Sequence, residues 1–126
     1  MTPPLTYKKF WIALGWLGVL TVFIGSMMPG EQVPNLPGGD KSHHFIAYSS
    51  LMFWFGQLYL RRRFRVALAL IAMGVAIEFL QPRLSNRMFD LADILANSIG
   101  VAIGLAVLLT PMQRFIGWLD QKVTKW

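Results

Sequence analysis

Residues 42–81, SHHFIAYSSLMFWFGQLYLRRRFRVALALIAMGVAIEFLQ, place two apolar runs on either side of the basic turn Arg61-Arg62-Arg63-Phe64-Arg65. The first run carries His43 and His44 at its start, and the second carries Glu78 near its end. Runs of this length and apolarity predict membrane-crossing helices, and arginines clustered between two of them predict a cytoplasmic turn. The hairpin that results has its polar residues at the end away from the arginines.

Working outward, Phe10 to Met28 is uncharged and preceded by Lys8 and Lys9, and a further apolar run extends from Asp93 to Leu109 before Pro111. The reading is therefore an all-α membrane bundle of four transmembrane helices at about 10–28, 42–60, 66–81 and 93–109. The third span is taken to stop at Pro82, which cannot donate to a helical ladder. Sixteen residues would cover about 24 Å at ~1.5 Å per residue, short of a hydrocarbon core of roughly 30 Å. Glu78 is thus expected slightly below headgroup level. After Pro111, Met112, Phe115, Ile116, Leu119, Val123 and Trp126 recur at helical spacing. Residues 112–126 are accordingly read as an amphipathic helix lying on the inner leaflet.

Composition agrees with this class. The 126 residues are 55% hydrophobic and 14% charged, against about 25% charged in soluble domains. The spans consume most of the chain, so a single domain is expected over 1–126. The net charge of +6 is distributed by side. Lys8, Lys9, Arg61, Arg62, Arg63, Arg65, Arg114, Lys122 and Lys125 fall on one side, and only Lys41, Arg83 and Arg87 on the other. This asymmetry predicts both termini in the cytoplasm and explains the basic charge without nucleic acid. Those cytoplasmic cations should attract anionic membrane lipids. There is no cysteine, which excludes disulfides and thiolate chemistry. The first apolar run is longer than the ~7–15 residues of a signal-peptide core, and no convincing small-residue cleavage site follows; it is expected to be retained.

Folding up the alternation gathers the polar residues at one bilayer face. Asp40, His44 and Tyr48 stand at i, i+4, i+8. Glu78 and Gln81 stand at i, i+3. Asp90, Asp93, Asn97, Gly100 and Gly104 continue at steps of three and four. Such spacings put each set on one helix face. Polar groups at hydrocarbon depth are costly unless they pair or serve a ligand, so three stripes at one depth predict a shared pocket. Gly100 and Gly104, with Ala96, would admit a neighbouring helix, as would Gly15, Gly18 and Gly25 on the first span, and these faces leave oligomerisation open. Plain interhelical hydrogen bonding is the competing account of the polar residues. Asp40, His43, His44, Glu78, Asp90 and Asp93 offer oxygen and nitrogen donors for zinc, magnesium or manganese. No ligand-spacing signature such as His-Glu-x-x-His occurs, so no metal and no cofactor are assigned. No ionisable residue falls at mid-membrane depth, which counts against proton or ion translocation.

In order and spacing, Asp40-Lys41-x-x-His44-Phe45-x-x-Tyr48, Glu78-x-x-Gln81 and Arg87-x-x-Asp90-x-x-Asp93-x-x-x-Asn97-x-x-Gly100-x-x-x-Gly104 resemble the VanZ-like family. The resemblance implies a small bacterial cytoplasmic-membrane protein with several helical spans. It also implies a link to resistance against the glycopeptide teicoplanin, with which the founding member is associated. The blocks of membrane phosphatidic-acid phosphatases are absent.

The expected function is recognition, at the extracytoplasmic face, of an anionic membrane-anchored envelope molecule such as a lipid phosphate or a lipid-linked cell-wall precursor. Lys41, Arg83 and Arg87 would hold phosphate. Asp40 would orient His44, leaving the other ring nitrogen for ligand or proton transfer. His44, Glu78 and Asp93 are the candidate catalytic groups, while Asp40, Lys41, Tyr48, Gln81, Arg83, Arg87, Asp90 and Asn97 are the candidate ligand contacts. Ser42, Ser85 and Ser98 lack a recognisable activating context as nucleophiles. Two alternatives stay open: an enzyme performing phosphoryl or acyl chemistry on lipid headgroups, and a structural bundle with an internal polar network.

Overall fold

The computed structural model describes residues 4–28, 42–84 and 88–125. Among these there is no β-strand. Five α-helices follow one another: α1 Lys8–Met27, α2 Ser42–Leu58, α3 Arg63–Leu84, α4 Leu91–Val107 and α5 Phe115–Thr124. Short 3-10 turns over Leu60–Arg62 and Pro111–Arg114 lead into α3 and α5.

α1 and α3 are each long and apolar enough to cross a membrane, and α4 with the segment after it would make a third crossing if counted as one span bent by 84°. That bend turns α5 away from the axis of α4, as the amphipathic reading of the tail requires. The outward faces carry Trp16, Leu17, Ile24, Leu68, Phe79, Leu95 and Ile99 in the open. An apolar exterior of this extent is at home in lipid and a liability in water. The interior, by contrast, includes buried Glu78, Gln81, Asp93 and Asn97.

The third helix differs from its expected bounds. Pro82 lies inside α3, which continues to Leu84. A proline in the last turn forfeits one ladder bond, to the Glu78 carbonyl four residues back, and a helix about to end tolerates that loss. The 22 residues of α3 measure about 33 Å, so this helix is not a short span. Glu78 consequently sits six residues before the helix end and is buried. α2 ends at Leu58 and α4 begins at Leu91, each two residues from the expected limit.

Glycine sets the closest approach. A methyl group on Gly104 would stand 2.6 Å from Met52 Cβ and 2.8 Å from the Ser49 carbonyl oxygen. One on Gly100 would stand 3.0 Å from the Phe45 carbonyl oxygen. The small-residue face of α4 therefore lies against the backbone of α2, as the GxxxG spacing predicts. Gly15 and Gly18 of α1 likewise meet Phe55, Trp54 and Leu51 of α2, whereas a methyl on Gly25 would find no described atom within 4 Å.

The basic end of the bundle is tied together by one carboxylate. Tyr7 precedes α1 without a side-chain cap. Instead Asp120 of α5 accepts hydrogen bonds from Thr6 N (2.7 Å), Tyr7 N (3.0 Å) and Trp11 Nε1 (2.9 Å). Thr6 N and Tyr7 N belong to the otherwise unsatisfied start of a helix, where negative charge is favoured, and Trp11 Nε1 is a side-chain donor one turn further in. Burial alone would raise the Asp120 carboxyl; the bonds from Trp11, Thr6 and Tyr7 outweigh it and hold the group below its ordinary carboxylate value. Nearby, Trp54 Nε1 donates to the Trp11 carbonyl (2.8 Å) and Ile116 N to Gln57 Oε1 (2.7 Å). The start of α1, the end of α2 and α5 thus share one end of the bundle.

Candidate functional site

The site lies at the other end, where α2, α3 and α4 meet. His44 is in the first turn of α2, and its ring faces α4. Its Nδ1 stands 2.7 Å from Asn97 Oδ1, and its Nε2 stands 3.4 Å from Asp93 Oδ1. Asp93 and Asn97 are four residues apart on α4 and share a face. With the amide oxygen accepting, Nδ1 carries a proton and Nε2 is turned toward the Asp93 carboxylate. A protonated ring would satisfy both neighbours at once. The glycine contacts one and two turns further along α4 bring these helices close enough for that reach.

α3 closes the site from the third side. Gly74 leaves room for the neighbouring polar groups: a methyl there would stand 3.0 Å from Asn97 Nδ2 and 3.3 Å from the Tyr48 ring. One turn on, Glu78 Oε1 accepts from Asp90 N at 2.6 Å. Asp90 is the N-cap of α4, and its own Oδ1 accepts from Ala92 N at 2.9 Å. Three carboxylates, Glu78, Asp90 and Asp93, therefore gather around the start of α4, whose partial positive charge stabilises them. Gln81 Nε2 donates to the Ser26 carbonyl of α1 at 2.9 Å, and so joins a fourth helix to the cluster.

The three stripes expected from spacing thus converge. His44, Tyr48, Glu78, Gln81, Asp90, Asp93 and Asn97 occupy one end of the bundle across three helices. Arg83 is exposed on the last turn of α3. Asp40, Lys41 and Arg87 lie outside the described residues, as does Ser85. Among the described residues, the groups found on the His44 nitrogens are Asn97 and Asp93. Two polar atoms in the cluster, Tyr48 Oη and Gln81 Oε1, are buried without a hydrogen-bond partner among the described residues. Buried polar atoms are rarely left so. Ser98 Oγ donates to the Ile94 carbonyl one turn back, a contact that offers no activation of a nucleophile. Among the described residues no three histidine or acidic side chains converge as metal ligands.

Two contributions escape the spacing argument. Ser26 enters through its main-chain carbonyl, which no side-chain pattern reveals. Asp120 was legible in principle, because it interrupts the apolar stripe of the tail, four residues after Ile116 and three before Val123.

Fold and site together define a small all-helical membrane protein with a histidine–carboxylate–amide cluster at one end of its bundle. A family model described as VanZ/LLP1 matches residues 5–113, and the chain belongs to the VanZ-like family. Searches of curated proteins and of solved structures gave no match.

Proposed function

We propose that the protein crosses the bacterial cytoplasmic membrane four times, through α1 to α4, with both termini cytoplasmic. In this reading the cluster around His44 opens to the extracytoplasmic face and recognises an anionic, membrane-anchored envelope molecule. The Asp120 clamp supports the topology. It joins residues near both ends of the chain, which fits an even number of crossings, and it does so at the end carrying most of the cations. α2 and α4 have 17 residues each, about 25 Å, enough to cross with flanking turns.

The observation that carries the site reading is the clamp on His44, held between Asn97 and Asp93 at 2.7 and 3.4 Å. Fixing both nitrogens presets the ring's orientation. Lys41, Arg83 and Arg87 are proposed to supply phosphate contacts, arginine offering two-point geometry. Glu78 and Asp93 would position donor groups of the same ligand. Family membership fits a part in glycopeptide resistance, with teicoplanin susceptibility of expressing cells as its readout.

One observation favours a purely structural role: His44, Glu78 and Asp90 all bond within the bundle, as scaffold residues would. Thermal unfolding of the purified protein separates the two. Phosphatidic acid or a polyprenyl phosphate at a hundredfold excess over its Kd should stabilise the native protein by about 2.7 kcal/mol, and phosphatidylcholine should not. His44→Ala and Glu78→Gln should abolish that shift while remaining folded in the membrane. Loss of both variants from the membrane would assign the cluster to scaffolding, and release of a headgroup or phosphate from the added lipid would make the protein an enzyme.

A further inference from the structure

The basic end of the bundle holds a cavity of about 550 Å³ between residues 4–6, the end of α2 and α5. Ile116, 1% exposed, gives it an apolar wall, with Leu5 and Leu60 half-buried beside it. Along α5 the lining includes Gln113, Arg114, Gly117, Gln121 and Lys125, at steps of three and four that put them on one helix face. Gly117 stands in the middle of that stripe, and a methyl there would find no described atom within 4 Å. Glycine inside a helix is less stable than alanine, and no close helix approach among the described residues requires it here. What it leaves is space in the cavity wall. Arg114 and Lys125 are exposed, and neither has an acidic partner among the described residues. Asp120, the acid in the lining, is buried with both oxygens committed to Thr6 N, Tyr7 N and Trp11 Nε1. Two cations against one carboxylate leave the lining with one net positive charge.

We propose that this cavity binds the headgroup of an anionic glycerophospholipid, a phosphodiester with free hydroxyls, from the leaflet at the basic end. The inference shares the bilayer placement given above and goes beyond the site at His44, which it does not need. A phosphodiester carries a single negative charge, the complement of the lining, and Arg114 can meet its oxygens at two points. The side-chain amides of Gln113 and Gln121 make no hydrogen bond among the described residues, and each offers a donor and an acceptor to a hydroxyl. A water-soluble anion would leave Leu5, Leu60 and Ile116 uncovered, whereas the glycerol backbone and upper chains of a lipid would cover them. The level is right as well. The chain bends by 84° after α4, and Met112 and Trp118 stand exposed among the cations of the tail, as in a helix at headgroup depth. General attraction between cations and a charged leaflet needs no cavity. The space at Gly117 singles out one bound molecule.

The test titrates the full chain in detergent micelles with phosphatidylglycerol and counts retained lipid by native mass spectrometry. The first phosphatidylglycerol should bind several-fold more tightly than phosphatidylcholine of the same chains, and several-fold more tightly than deacylated glycerophosphoglycerol. Gly117→Leu fills the cavity from a helical position with open space around it, so its Tm should be unchanged or raised while the preference for phosphatidylglycerol falls several-fold. Arg114→Gln with Lys125→Gln, both exposed, should lower that preference by a similar factor in a protein that still folds. Arg61→Gln with Arg62→Gln removes two exposed cations of the same end that do not line the cavity, and should leave the preference as it was. Equal loss in the Arg61 and Arg62 pair would overturn the proposal by reducing it to general charge attraction. Undiminished binding to Gly117→Leu would overturn it too, as would equal affinity for glycerophosphoglycerol. Failure of His44→Ala to alter phosphate-lipid binding would sink the site reading at the other end and leave the Gly117→Leu result standing.

Discussion

Replacing Asp120 by alanine removes the acceptor of three hydrogen bonds at the start of α1. Their loss is unequal. Thr6 N and Tyr7 N are only partly buried, so water can replace the carboxylate there at small net cost. Trp11 Nε1 is different: Trp11 is 5% exposed, and an orphaned buried donor costs about 1–3 kcal/mol. Losing negative charge at a helix N-terminus adds about 0.3–1 kcal/mol. The expected destabilisation is about 2–3 kcal/mol. Asp120→Asn keeps one acceptor oxygen and should fall between, at about 1 kcal/mol. Denaturant unfolding in detergent micelles, followed by tryptophan fluorescence, measures both and reports directly on Trp11. The pH dependence has a fixed sign. The folded Asp120 titrates below its unfolded value of about 3.9. Its contribution is complete above that value and disappears as pH falls through the lower, folded one. The gap between wild type and Asp120→Asn should be flat from neutral pH down to about pH 5 and close below about pH 4. A gap that widens on acidification, or Asp120→Ala within about 0.5 kcal/mol of wild type, would refute the clamp.

Three further outcomes follow from single contacts. Gly104→Val should cost about 1–3 kcal/mol by overpacking, because its Cβ meets the Ser49 carbonyl at 2.8 Å and backbone cannot rotate aside; denaturant unfolding reads the loss. Asn97→Leu should remove the partner of His44 Nδ1, shift the imidazole nitrogen resonances and destabilise by about 1–2 kcal/mol. Tyr48→Phe removes a buried hydroxyl with no partner among the described residues. Its thermal stability should be unchanged or raised by about 1 kcal/mol, while stabilisation by phosphate lipids should fall.

Much of this architecture is legible before any coordinates, and for identifiable reasons. Apolar runs long enough to cross a bilayer are a strong signal, so the helices from α1 to α4 lie within a few residues of their expected places. Pro82 misleads because a proline's cost depends on how much helix remains after it. Only Arg83 and Leu84 follow in α3, so the ladder had little left to lose. The polar cluster is legible because steps of three and four fix a shared face, and Gly100 and Gly104 announce which face meets a neighbour. Partner choice within the cluster is another matter. Spacing alone pairs His44 with Asp40, four residues before it in the sequence, and only tertiary packing reveals Asn97 and Asp93 across the α2–α4 seam. Asp120 escaped for a related reason: a lone acid in a basic tail reads as a solvated charge until the start of α1 is brought to it from 113 residues away.

The same packing bears on whether the cluster is scaffold or site. A network evolved only to register helices would close on itself, because each unsatisfied buried atom subtracts from the stability it is meant to provide. Most of this one does close: His44 on Asn97 and Asp93, Glu78 on Asp90, Asp90 on Ala92. Tyr48 Oη and Gln81 Oε1 do not, among the described residues. Tyr48 Oη can donate or accept, whereas Gln81 Oε1 only accepts. A ligand presenting an acceptor to Tyr48 and a donor to Gln81 would complete the network that the helices leave open. Tyr48→Phe discriminates here as well: scaffolding predicts no loss beyond packing, whereas a site predicts weakened ligand binding from a protein that folds as well as before.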